Sequence, residues 1–170
     1  MTKASVVISV AEPGWRNCGI NPTHVRAAAR LALAHGLEHA KKPGSGAWKL
    51  TILLAGDERL RELNLRFRRK DYPTNVLSFP ALASGDGYLG DVALALGVAA
   101  REARAAGRRL ADHVLHLTVH GVLHLLGYDH DKPREAQTME RLEIAVLHEL
   151  GIANPYIGRD RTAPLRNSNV

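Results

Sequence analysis

LADHVLHLTVHGVLHLL, residues 110–126, carries no formally charged residue after Asp112. Leucine, valine and neutral histidine occupy nearly every side of the helix it predicts. Such a helix belongs inside a protein, with other elements wrapped around it. Its length is too short for a membrane span. The fold must therefore be one that can surround a single apolar helix, and the flanking sequence supplies the means.

Upstream, SVVISVA (5–11), WKLTILLA (48–55), TNVLSF (74–79) and YLGDVALAL (88–96) are rich in β-branched and aliphatic residues and predict strands. Asn21-Pro22 predicts a helix start, the helix running to about Ala40 with Gly36 as a point where it can break. KKPGSG (41–46) and ASGDG (83–87) read as loop and turn. Asp57 reads as the N-cap of a short helix that points Leu60 and Leu63 inward, followed by a basic loop, RFRRKDYP (66–73). GVAAREARAAG (97–107) is helical in composition. Pro133 opens a last helix with Met139, Leu142, Val146 and Leu150 on one face and Gly151 as its stop. About four strands and about five helices in mixed order, with crossovers of helix length, predict an α+β fold. It is one compact domain over 1–153 with a small mixed sheet, and a polar, frayed tail over 154–170.

The chain has 170 residues, 45% hydrophobic and 24% charged, as in an ordinary globular protein with a sizeable core. Cys18 is the only cysteine, which excludes an intramolecular disulfide, and the N-terminus shows no long apolar stretch of a secretory signal. A cytoplasmic location is the expectation, with no membrane association. The formal charge is +6, which suits a polyanionic partner. Arg59, Arg61, Arg66, Arg68, Arg69 and Lys70 cluster within twelve residues, and Arg101, Arg104, Arg108 and Arg109 within nine.

The buried helix runs into HGVLHLLGYDH (120–130). His120 and His124 lie four apart and so share a helix face. Gly127 takes the left-handed cap conformation without steric cost, so the chain can turn there and return His130 to the same point. Three converging imidazoles suit Zn²⁺ with a fourth position left for water, and place a zinc site at the end of the buried helix. The spacing is that of the zinc hydrolases with H-E-x-x-H-x-x-G-x-x-H, except that Gly121 stands where those enzymes carry their general base. His113 and His116 lie earlier on the same helix, as partners of a ligand histidine or as hydrogen-bonded core residues. Asp129 and Asp131 flank His130, as orienting carboxylates or as turn residues.

Taken with NLRFRRKDYPTNVLSFP (64–80), the Gly-Asp of YLGDVAL and the ending GIANPYI, the histidine motif closely resembles the YbeY family of rRNA maturation factors. The resemblance covers roughly residues 50–157. It implies a single-strand-specific, zinc-dependent endoribonuclease, acting in maturation of the 16S rRNA 3′ end and in late ribosome quality control. Single-stranded RNA, rRNA and the small ribosomal subunit are then the expected partners. The implied ligands of one zinc ion are His120, His124 and His130. Arg68 falls on the family's functional arginine, and Arg69 on a position where many relatives have a smaller residue.

The missing glutamate is consistent with such chemistry. Zinc lowers the pKa of a bound water to about 7. A phosphodiester has a better leaving group than an amide, and its cleavage builds up negative charge that Arg68 is placed to meet. Gly121 is expected to free space beside the metal for phosphate and ribose. Two other readings compete: a non-enzymatic ribosome-assembly factor with a structural zinc, and a metallopeptidase-like hydrolase whose only nearby carboxylates are Asp129 and Asp131.

Overall fold

The computed structural model describes residues 3–40, 46–82 and 86–158. The loop over 41–45, the turn residues 83–85 and the tail from 159 lie outside them. The sheet is built from β1 (Lys3–Val10), β2 (Ala47–Ala55), β3 (Val76–Pro80) and β4 (Tyr88–Ala95) in the order β1-β2-β4-β3. β1 and β4 both run parallel to β2, and β3 runs antiparallel to β4 at the edge. The helices are α1 (Pro22–His39), α2 (Asp57–Arg68), α3 (Leu96–Ala105), α4 (Leu110–Leu125) and α5 (Pro133–Glu149). A short 3₁₀ turn, Pro13–Arg16, seats Trp15 in the core. The α+β class, the mixed four-stranded sheet and the five helices match the expectation.

Alternation along the strands sets the layers. Leu50, Ile52 and Leu54 of β2 and Val92 and Leu94 of β4 face one side, where α1, α4 and α5 pack. Ala55, Ala93, Ala95 and Leu77 face the other, under α2 and α3 with Leu60 at the centre. The helix α4 is enclosed as its composition demands: Val114, Val119, Val122 and Leu123 have no exposed surface. Small residues let α1 come close to it. Ala28, Ala29 and Ala32 are fully buried, and a Cβ on Gly36 would lie 2.4 Å from Leu126 Cδ1.

Several local expectations are corrected. Gly36 does not break α1, which is continuous to His39, because the glycine serves close packing rather than a turn. Asp57 does not cap α2; Gly56 holds that place without a side-chain bond. The Asp57 carboxylate instead accepts from the Val98 N–H at 2.9 Å and from Arg101 at 2.8 Å, and so caps the first turn of α3. Arg66–Arg68 are the last turn of α2 rather than loop, and the helix ends on Arg69 at a left-handed φ of 58°. The expected tail does not fray from its start: Arg108 donates to the Pro155 carbonyl, and Tyr156 packs against α4 and α5.

Candidate metal centre

Two backbone features deliver the three histidines. The last turns of α4 carry His120 and His124, whose Nε2 atoms lie 3.1 Å apart. The helix then closes with Gly127 at φ 91°, its N–H donating to the His124 carbonyl and the Tyr128 N–H to the Leu123 carbonyl. This pair of bonds is the Schellman ending, which sends the chain back across the helix end. The Tyr128 hydroxyl fixes the returning segment by donating to the Gly36 carbonyl at 2.7 Å. His130 thereby reaches the other two: ring centroids are 5.5 Å from His120 and 5.1 Å from His124. One ligand-capable atom from each of the three lies within 4.8 Å of the others.

A partner that the sequence reading missed organises this group. Glu143, on α5, is 1% exposed. Its Oε1 accepts from His120 Nδ1 at 2.5 Å and its Oε2 from His116 Nε2 at 2.9 Å. The Tyr156 hydroxyl also donates to Oε2. An ionised carboxylate only accepts, so His120 turns an N–H from Nδ1 to it, and in the neutral ring that tautomer leaves Nε2 bare. Burial works to raise the Glu143 carboxyl, but the charge of His120 and the hydrogen bonds from both histidines hold it well below the usual carboxylate range. Glu143 was legible in principle. Met139, Leu142, Glu143, Val146 and Leu147 form one buried stripe of α5, and a carboxylate there demands a partner.

His116 is thus an indirect member of the site, through Glu143. His113 is not part of it: its Nε2 bonds Glu102 on α3 at 2.8 Å. Asp129 accepts from the backbone N–H of His130 at 2.7 Å, a local turn bond, and Asp131 is exposed. Burial first, then repulsion from His120 and His130, pushes the His124 ring down to about 3. Among the described residues, Nε2 of His130 is buried without a hydrogen-bond partner.

Gly121 does not open space beside the trio, contrary to the expectation. A Cβ there would lie 2.6 Å from Val92 Cγ1 and 3.2 Å from Val76 Cγ2, both in the sheet. The glycine lets α4 rest directly on β3 and β4, and a glutamate side chain would run into strands. Beside it, Ser78 Oγ donates to the Gly121 carbonyl at 2.9 Å. The Ser78 carbonyl, on the outer edge of β3, accepts from Arg68 Nη2 at 3.3 Å. Arg68 is therefore one residue's width of sheet edge from the helix that carries His120. Burial lowers its pKa, and among the described residues it has no carboxylate partner.

The model of the family described as "Endoribonuclease YbeY" matches residues 16–151. A relative of that name from Dinoroseobacter shibae is 41% identical over 171 residues, covering 91% of each chain. Another, from Rhodopseudomonas palustris, is 47% identical over 125 residues, 70% of this chain and 66% of the relative. Among solved structures, TM1509 from Thermotoga maritima shares the fold, with TM-score 0.55 and 21% identity over 94% of this chain and all of that one.

Proposed function

The chain belongs to the YbeY endoribonuclease family, and from that premise we propose that it is a single-strand-specific, zinc-dependent endoribonuclease acting in 16S rRNA 3′-end maturation and late ribosome quality control. His120, His124 and His130 are its metal ligands and Arg68 its catalytic cation. Single-stranded RNA, rRNA and the small ribosomal subunit are its partners, and the cytoplasm its location. No helix among the described residues is long and apolar enough to cross a membrane.

The observation that carries this reading is the set of ring nitrogens turned toward one another. His120 offers a bare Nε2, His124 faces it at 3.1 Å, and His130 Nε2 is buried and unpartnered. Two nitrogens bound tetrahedrally at about 2.0–2.1 Å lie roughly 3.3 Å apart, so the donor set fits a zinc ion. When bound, zinc supplies positive charge and a water that ionises near neutral pH.

The chain's own residues do the rest. Glu143 fixes the proton of His120 on Nδ1 and the plane of its ring. That carboxylate is occupied by two histidines and a tyrosine, so it is not a general base for the Nε2 side of the site. Arg68, half-buried and without a counter-ion among the described residues, suits the negative charge that develops on a phosphodiester.

Metal analysis combined with cleavage assays on single-stranded and duplex RNA tests the proposal. Metal-loaded protein should cut single strands, and His124→Ala should lose both the metal and the activity while staying folded. A folded, metal-loaded chain that cuts no RNA would favour a second reading. In that reading the metal is structural, and the bridge of His120, Glu143 and Tyr156 serves to lock α4 to α5 and the C-terminal stretch.

A further inference from the structure

The end of α2 carries an aromatic surface that the metal centre does not use. Phe67 is 56% exposed although it is one of only two phenylalanines in the chain. Its ring meets Phe79 edge to face at 5.1 Å, and the Arg66 guanidinium lies over it at 5.3 Å. Leu65 and Tyr72, also exposed, extend the patch. Arg66 lies over the ring and Arg68, Arg69 and Lys70 follow it in the chain; among the described residues the ion pairs of this segment are made by Arg59 and Arg61 and by none of these four. By contrast, Arg61 is spent internally on a two-pronged bond to Asp71, at 2.7 and 3.2 Å.

That internal bond shapes the segment beside the patch. With the Asn64 amide donating to the Tyr72 carbonyl at 2.8 Å, it folds the segment after α2 back onto the helix. Phe67 lies in the last turn of α2 with its ring against Phe79, so part of its side chain is already packed on its own chain, which lowers the ordering cost of binding. Its position matters as much. Phe67 precedes Arg68, and Phe79 follows Ser78, so the patch borders the Arg68–Ser78–Gly121 contacts that lead to His120.

We propose that Phe67, with Arg66 and Phe79, is a stacking platform for an unpaired nucleobase of the RNA strand whose phosphates the neighbouring arginines hold. The inference rests on the endoribonuclease reading and deepens it. An exposed ring amid unpaired cations matches the two chemistries of a single strand, a base face and a charged backbone. A base paired within a duplex has no free face to give, so the platform itself selects against duplex RNA.

The test is binding, not cleavage. Anisotropy titrations in metal-free buffer compare a short single-stranded oligoribonucleotide with the same sugar–phosphate chain made abasic. The wild-type protein should prefer the base-bearing strand. Phe67→Ala should weaken that strand roughly 5- to 150-fold and the abasic one hardly at all. Phe67→Trp should retain the preference; Phe67→Leu, which keeps apolar contact with Phe79 but has no π face, should lose it. Thermal unfolding of each variant controls for the fold. Equal binding of both strands by the wild type, or unchanged binding by Phe67→Ala, overturns the platform while leaving the nuclease reading intact. Failure of the wild type to bind either strand overturns the platform, while cleavage by the metal-loaded protein decides the nuclease reading separately. A dimer that Phe67→Ala dissolves without changing RNA binding assigns the patch to a second copy of the chain and also overturns it.

Discussion

Glu143 and His120 approach to 2.5 Å across the α4–α5 interface, the Glu143 side chain 1% exposed and the His120 side chain 11%. The bond joins the last long helix to the histidine trio proposed to hold the metal, although α5 supplies none of those three histidines. Glu143→Gln should weaken metal binding by roughly 10- to 100-fold, because an amide does not hold the His120 proton on Nδ1 as a carboxylate does. Glu143→Ala should in addition destabilise the metal-free chain by about 3 kcal/mol, since it strands two buried histidines. Competition with a chromophoric chelator reads the first effect and urea unfolding the second. Unchanged metal affinity in a folded Glu143→Gln protein would remove Glu143 from any role at the centre.

Arg68→Ala should keep fold and metal and lose about 30- to 1,000-fold in single-turnover cleavage, equivalent to about 2–4 kcal/mol of transition-state stabilisation. Its bond to the Ser78 carbonyl is long at 3.3 Å, so stability should change by less than about 1 kcal/mol. Arg68→Lys should recover only part of the rate, for want of the planar fork. Arg66→Ala and Arg69→Ala are the controls. Equal, modest losses in all three would make the segment a general electrostatic patch.

Gly121→Ala should destabilise the chain by about 1–3 kcal/mol, since its Cβ would press to 2.6 Å on Val92. Gly121→Glu, the change that restores the zinc-peptidase motif in letters, should yield misfolded protein rather than a peptidase. A soluble, stable Gly121→Glu chain would mean that α4 can lift off the sheet.

Arg69→Gly should stabilise the protein by roughly 0.5 kcal/mol. Arginine in the left-handed region costs about 1–2 kcal/mol, and glycine there gives part of that back as chain entropy. A small rise in melting temperature is expected. A fall would show that the Arg69 side chain makes up for its backbone strain.

Acid should loosen the metal-free chain through His124. Its ring is held down to about 3 when folded, against about 6.5 when unfolded. Above the unfolded value both states are neutral and the shift has no effect. As pH falls from there toward 3, the unfolded state takes up the proton first, so stability declines across that window. Urea midpoints of the metal-free protein at about pH 7.5 and about pH 5 should differ less in His124→Asn than in the wild type. An equal difference would place the acid sensitivity elsewhere.

The layers and the histidine trio were legible because both rest on short-range pattern. Alternation in β2 and β4 and the all-round apolar face of α4 announce burial, and Gly127 announces the turn that returns His130. What stayed hidden depends on a second element. Asp57 resembles the cap of its own helix yet serves α3, because Val98 and Arg101 happen to stand over it. Gly121 suggests room near a metal only until β3 and β4 are seen to fill that room. Glu143 sits in the apolar stripe of α5, but nothing in the stripe says that its partners are His116, His120 and Tyr156.

Gly36, Leu126 and Tyr128 fit one another as a lock, the leucine methyl resting where a Cβ on residue 36 would be and the tyrosine hydroxyl tied to the carbonyl of that same residue. Mid-helix glycine gives up about 1 kcal/mol against alanine, so drift by single changes should always tempt this position toward alanine. The first step would displace the turn that carries His130. Positions 36, 126 and 128 are therefore expected to vary together across descendants of this chain, and a lineage with a larger residue at 36 should show a smaller one at 126.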